Sequence, residues 1–138
     1  MDYEDLRIAR YTLWDLYLHQ SQFPYLGRCY ASARREEADL VTDMNRAESV
    51  QLFEELIPDW KRAIENLFGK IRPNVAILGN EWNHLHAHLI PRFEGVREFD
   101  NIGFVDPRPK GNYVPYPKKQ VKDATLIKIK DLIANKIC

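Results

Sequence analysis

The sequence predicts an α+β chain of about four strands and two helices, and three observations carry that reading. Between Asn83 and Arg92, His84, His86 and His88 alternate with Leu85, Ala87 and Leu89, and strict alternation is the period of a half-buried strand. Upstream, short stretches rich in aromatic and aliphatic residues are separated by Gly, Pro and Asn, as in strands joined by turns. Two further stretches repeat apolar residues at spacings of three and four, the period of an amphipathic helix.

Taken in order, residues 1–11 read as an N-terminal turn or short helix. In residues 12–19, Leu16 and Leu18 alternate with Asp15, Tyr17 and His19, which predicts a strand. Residues 20–25 are polar and contain Pro24, which suits a turn; residues 26–33 read as a second strand, antiparallel to the first. The mixed run Arg34, Arg35, Glu36, Glu37 reads as a solvated loop. Asn45 and Glu48 have capping-box spacing. Val50, Phe53, Ile57, Trp60, Ile64 and Leu67 then mark one helix face. Pro58 predicts a kink or break near Leu56 and Ile57, and Gly69 stands where the residue past a helix end is expected. Residues 74–80 read as a buried strand that turns through Asn80 into the histidine strand. Pairing is expected to end near Pro91, which has no amide donor. Residues 93–117 read as a loop rich in Arg, Gly, Pro and aromatics, a setting in which function is common. Val121, Leu126, Ile129, Leu132, Ile133 and Ile137 mark a C-terminal amphipathic helix, with Lys128, Lys130 and Lys136 on its solvated side.

At 138 residues the sequence predicts one domain, residues 1–138. A formal net charge of zero gives no global footprint for nucleic acid or an acidic membrane, so any phosphate recognition is local. Cys29 and Cys138 are few and far apart, which predicts no structural disulfide and a reducing, cytoplasmic setting. The acidic start, Met1-Asp2-Tyr3-Glu4-Asp5, is not that of a signal peptide. No apolar run reaches membrane-span length, and there is no internal repeat.

The chain has four histidines, and the three in this row share one strand face about 6–7 Å apart, with an apolar underside. The row admits three readings. It is incidental; or it holds a catalytic metal, for which three histidines with an open position are a known set; or it performs nucleophilic and acid–base chemistry on phosphate, since imidazole is largely neutral near pH 7. Successive positions on one strand fan apart, so a metal needs a ligand from another element, and the remaining histidine, His19, is far away in sequence.

The stretch His84-Leu85-His86-Ala87-His88-Leu89-Ile90 resembles the signature of the histidine triad (HIT) family, and the adjoining Pro91-Arg92 resembles its hydrolase members. The resemblance implies a HIT-like antiparallel sheet of about four to five strands, with helices on one side: a long central helix and a C-terminal one. It implies a nucleotidyl hydrolase or transferase, resembling the diadenosine polyphosphate hydrolases. His86 is then the nucleophile at the α-phosphate, with His84 and His88 bonding phosphate oxygens and the leaving group. Trp14 and Leu16 are then at the wall that packs the base, or else are core. Asn80, Asn83 and Arg92 are the candidate phosphate contacts, Asn80 and Asn83 standing in for a longer family loop, with turn formation as their alternative use. A histidine common in the family near Arg34 and Arg35 is absent, and those arginines are its possible substitutes. No metal is required, although the substrate can arrive as a magnesium complex. A homodimer and a nucleotide substrate are implied, with no nucleic-acid or membrane partner. The competing functions are a nucleotide-binding module with little turnover and a metal-dependent hydrolase built on the histidine row.

Overall fold

A computed structural model describes residues 1–137; Cys138, one of the two cysteines read from the sequence, lies outside the described residues. The centre is a five-stranded antiparallel sheet in the order β1-β2-β3-β5-β4. Its strands are β1 (Arg7–Arg10), β2 (Trp14–Leu18), β3 (Cys29–Ala33), β4 (Arg72–Ala76) and β5 (His86–Arg92). The predicted hairpins are present, β2 with β3 and β4 with β5. The N-terminal segment is a 3-10 turn, Tyr3–Leu6, leading into a strand that the sequence pattern does not reveal. β1 is a short edge strand whose pairing with β2 is interrupted by a bulge between Arg7 and Ala9, and a bulge breaks the alternation by which a strand is recognised. Pro91 does not end β5. It stands opposite Pro73 on β4, beyond the last β3 partner, Leu89. Neither proline has an N–H, so that pair donates no bond to the ladder, and the strand continues through it to the Arg72–Arg92 pair.

The helical segment opens with the predicted capping box: Asn45 Oδ1 accepts from Glu48 N–H at 2.8 Å and Glu48 Oε1 from Asn45 N–H at 3.0 Å. It then runs without a break as α1 (Arg46–Gln51), a π turn (Leu52–Leu56) and α2 (Ile57–Phe68), ending at Gly69 with φ +103. The π turn, rather than a break, accommodates Pro58. It inserts a residue and rotates the buried face, so Leu52, Leu56, Trp60 and Ile64 are buried while Val50 and Phe53 are exposed. The C-terminal helix α3 (Asp123–Ile137) buries Leu126, Ile129 and Ile133 and leaves Leu132 exposed. Residues 93–117 contain a second hairpin, β6 (Arg97–Phe99) and β7 (Ile102–Phe104). Its turn residues Asp100 and Asn101 have φ +53 and +66, the conformation that tight hairpins favour and that Asp and Asn tolerate.

Strand register decides which side chains face the helices. β3 pairs Ala31 with Ala87 and Cys29 with Leu89; β2 pairs Leu16 with Ala31 and Trp14 with Ala33. These residues form one cluster with Leu52, Leu56, Trp60, Ile64, Ile129 and Ile133. Trp14 and Leu16 are therefore core, each fully buried. The Trp14 indole donates to the Glu48 carbonyl at 2.9 Å. The expectation that they wall a base site fails because alternation puts them on the face opposite His86 and His88. Among the described residues no helix is long and apolar enough to cross a membrane.

Candidate active site

The other sheet face carries the histidines. Opposite His86 and His88 on β3 stand Ser32 and Tyr30, and opposite those on β2 stand Asp15 and Tyr17. Tyr17 and Tyr30 stack at 5.1 Å and 16°, and Tyr30 meets His19 edge-on at 5.9 Å. His19, one residue past β2, has the parity of Asp15 and Tyr17, and its ring lies 5.7 Å from that of His88. Distance in sequence conceals a fourth imidazole at the site. The signal that could have found it is the same alternation that places Leu16 and Leu18 in the core.

His86 is 6% exposed and its Nδ1 lies 2.6 Å from the carbonyl oxygen of His84. A carbonyl only accepts, so Nδ1 carries a proton, and in the neutral ring Nε2 keeps its lone pair. This is the tautomer a nucleophile needs. His84 is set differently. Its Nε2 donates to the Ala33 carbonyl at 2.6 Å. Leu85 beside it exchanges backbone bonds with Ala33 and Ala38. His84 anchors the start of the row and is not among the cleft-lining residues. His88 lies edge-on to His86 at 4.9 Å, and its buried Nδ1 has no partner among the described residues. Burial, then the Arg28 charge, depresses His88 to about 4; the same causes in the same order take His19 to about 3. Both rings are neutral at pH 7.

His19, His86 and His88 line a cleft of about 710 Å³ with Arg28, Trp82 and Tyr116. Asn80 lines it too. Asn83 does not: its amide donates to the Gly79 carbonyl at 3.1 Å and closes the turn, the alternative use of asparagine there. Arg92 is also withdrawn from any phosphate. All five of its donors are taken, by Asp106 Oδ2 and Oδ1, Asn74 Oδ1, and the carbonyls of Gly111 and Arg108. Its role is to fasten the 104–117 segment to the sheet. Arg34 and Arg35 are no substitutes for the missing histidine. Arg34 donates to the Tyr11 and Thr12 carbonyls, and Arg35 makes a two-pronged pair with Glu48. Two residues that sequence reasoning passes over stand in the cleft instead, Trp82 and Arg28. The Trp82 ring lies 4.7 Å from His86 and 5.1 Å from His84. Arg28 is the one charge in an otherwise apolar run from Leu26 to Ala31, a position that could have flagged it. Among the described residues no three His, Cys, Asp or Glu side chains are grouped to hold a metal ion.

No protein-family model and no curated protein matches the chain. Solved structures do. A histidine triad protein from Bradyrhizobium japonicum aligns over 98% of this chain and 92% of its own, with TM-score 0.72 and 23% identity. A histidine triad protein from Marinobacter aquaeolei VT8 aligns over 95% and 87%, with TM-score 0.73 and 20% identity. A Plasmodium falciparum diadenosine triphosphate hydrolase, solved with cyclomarin A, aligns over 99% and 78%, with TM-score 0.64 and 13% identity.

Proposed function

We propose that this chain, which has the fold of the histidine triad proteins and their alternating signature, is a nucleotidyl hydrolase or transferase acting at an α-phosphate through His86. The observation that carries the reading is the His86 tautomer: Nδ1–H held by the His84 carbonyl, with Nε2 left as a lone pair in the cleft. Nε2 attacks the α-phosphorus. A P–N bond forms, the P–O bond to the leaving group breaks, and the leaving oxygen takes that electron pair. The positive charge developing on the ring is stabilised by the Nδ1–H···O=C bond. Water then attacks the same phosphorus, the P–N bond breaks, and nucleoside monophosphate departs.

His88, lining the cleft beside His86, is the proton carrier in this scheme. It is neutral in the free chain, and a bound anion raises its proton affinity, so substrate itself prepares it. The substrate is a dinucleoside polyphosphate or a related nucleotide, arriving with or without magnesium, and the active species is a homodimer in a reducing cytoplasm. The buried free thiol of Cys29 is compatible with that setting.

Trp82 favours a second reading, a nucleotide-binding module with little turnover, because it packs on the ring that must attack. One experiment separates the two. A turnover screen across dinucleoside polyphosphates and nucleoside phosphoramidates is paired with a base quench and intact-mass measurement. Turnover with a nucleoside monophosphate adduct mapped to His86 supports the hydrolase. Binding with neither turnover nor adduct supports the module. Light scattering at micromolar concentration tests the dimer, and a chain of single mass removes it without touching the chemistry.

A further inference from the structure

Arg28 and Arg92 are both 4% exposed, and the contrast between them is informative. Arg92 faces the Asp106 carboxylate and spends every donor. Arg28 has no carboxylate partner among the described residues. Its Nη1 donates to the Tyr116 hydroxyl at 2.9 Å, and its Nε is buried without a partner. The guanidinium carbon lies 5.4 Å from the Tyr116 ring centre and 5.7 Å from that of Tyr113. These rings hold the cation in place without neutralising it. A buried charge left unpaired is costly, and a buried donor left unpaired adds to that cost. The same cleft contains a second buried orphan, Nδ1 of His88. Lys118 adds a positive charge at the rim, and Glu81, exposed on the loop beside Trp82, is the acid among the lining residues.

We propose that Arg28, together with His88, forms an anion subsite for the phosphate on the leaving side of the scissile bond. The preferred substrate is therefore a nucleotide carrying phosphate beyond the α-phosphate, and not one whose leaving group is uncharged. The inference rests on the reading of His86 as the nucleophile. Position along the sheet gives the order of the groups, and charge argues for the side. His86 pairs with Ser32 and His88 with Tyr30, so Arg28, one residue before β3 begins, lies two residues beyond Tyr30 in the same direction. It has the parity of Tyr30 and Ser32, on the histidine face. With the α-phosphate at His86, His88 is one step away and Arg28 two. A nucleoside has no anionic group to place there; the next phosphate of a polyphosphate does. The charge of Arg28 depresses both His88 and His19, which places its uncompensated field within this part of the cleft.

The experiment has two arms, on the full chain and on Arg28→Gln, Arg28→Lys and Tyr116→Phe. The first is calorimetric titration with inorganic tripolyphosphate at low salt, with the parent's histidine ring resonances followed in the same titration. The second compares kcat/KM for a dinucleoside polyphosphate and for a nucleoside 5′-phosphoramidate. The parent is expected to bind tripolyphosphate with shifts at His88 and His19. Arg28→Gln is expected to weaken binding by about tenfold or more, the scale of a charge-assisted hydrogen bond. Arg28→Lys is expected to fall between. On the polyphosphate, Arg28→Gln should lose at least about tenfold in kcat/KM while the phosphoramidate changes by less than about threefold.

Equal losses on both substrates, reproduced by Tyr116→Phe, would show that Arg28 only positions the 113–116 loop, and would overturn the subsite. Should Arg28→Gln not fold, the parent's resonances decide: tripolyphosphate that leaves His88 and His19 unshifted overturns the proposal. Arg28-dependent tripolyphosphate binding by a chain that turns over neither substrate keeps the subsite and removes the hydrolase reading instead.

Discussion

The indole of Trp82 lies 4.7 Å from the imidazole of His86, inclined by 35°, and shields the ring proposed to attack phosphorus. Trp82 is itself 47% exposed on the short turn between β4 and β5. Trp82→Ala is therefore expected to cost about 1 kcal/mol or less in stability while opening the ring beneath. An imidazole-acylating reagent, with peptide mass mapping of the product, should modify His86 several-fold faster in the variant. His84, whose Nε2 stays bound to Ala33, should change less. An unchanged rate at His86 would mean that Trp82 does not control access.

His86→Ala is expected to lose at least about 10³-fold in kcat, because it removes the proposed nucleophile. Nucleotide affinity and melting temperature should stay near those of the parent, since Nδ1 of His86 bonds only a local carbonyl. Turnover within about tenfold of the parent would defeat the nucleophile assignment. His84→Ala should behave differently. It removes the ring bonded to Ala33 and so loosens the row, and its loss should appear in stability as well as rate.

Local signals are legible in the sequence. The capping box at Asn45 and Glu48, the stop at Gly69 and the alternation around His86 depend on neighbouring residues, and each appears in the fold. What sequence reasoning misses depends on partners far along the chain. Arg92 looks like a phosphate ligand because nothing near it in sequence announces that Asp106 will meet it. A straight helix would put the apolar stripe of the long helical segment one register off, since a π turn intervenes at Leu52–Leu56. For Trp14 and Leu16 the alternation is visible, but which face of β2 meets the helices is fixed by pairing with Ala31 and Ala33. The same pairing brings His19 to His88 and leaves Arg28 beside them.

The Arg92–Asp106 pair carries a stability prediction. Their side chains are 3% and 2% exposed, and the shortest contact is 2.6 Å. Removing one partner leaves a buried charge uncompensated, so Arg92→Ala is expected to cost about 3–5 kcal/mol. Denaturant unfolding measures it. Arg92→Met combined with Asp106→Leu should recover part of the loss and not all, because the carbonyls of Gly111 and Arg108 still lose a donor. If Arg92→Ala unfolded at the parent's midpoint but bound nucleotide more weakly, Arg92 would have to be returned to the phosphate site.

Acid sensitivity should report on His19 and His88. Unfolded histidine titrates near 6.5, whereas in the folded chain burial and the Arg28 charge place His19 at about 3 and His88 at about 4. The charged and titratable neighbours are Arg28 and His86 for His88, and Arg28, His88 and His86 for His19. Because the folded values are depressed, the unfolded state binds more protons between about pH 4 and 6.5, and stability rises with pH wherever that holds. The contribution is complete above about pH 6.5 and is lost as pH falls towards the folded values. Melting temperature should accordingly be flat near neutrality and fall from pH 6.5 to 5. In His19→Asn with His88→Asn, the fall over that interval should be clearly shallower. Carboxylates such as Glu48, held low by Arg35, contribute to the steeper loss at more acid pH in parent and variant alike, so the difference between the two curves isolates the histidines. A tripolyphosphate-saturated parent should also lose less stability on acidification, because an anion beside Arg28 raises the proton affinity of both rings. Parallel curves for parent and double variant would show that neither imidazole is held neutral by the fold.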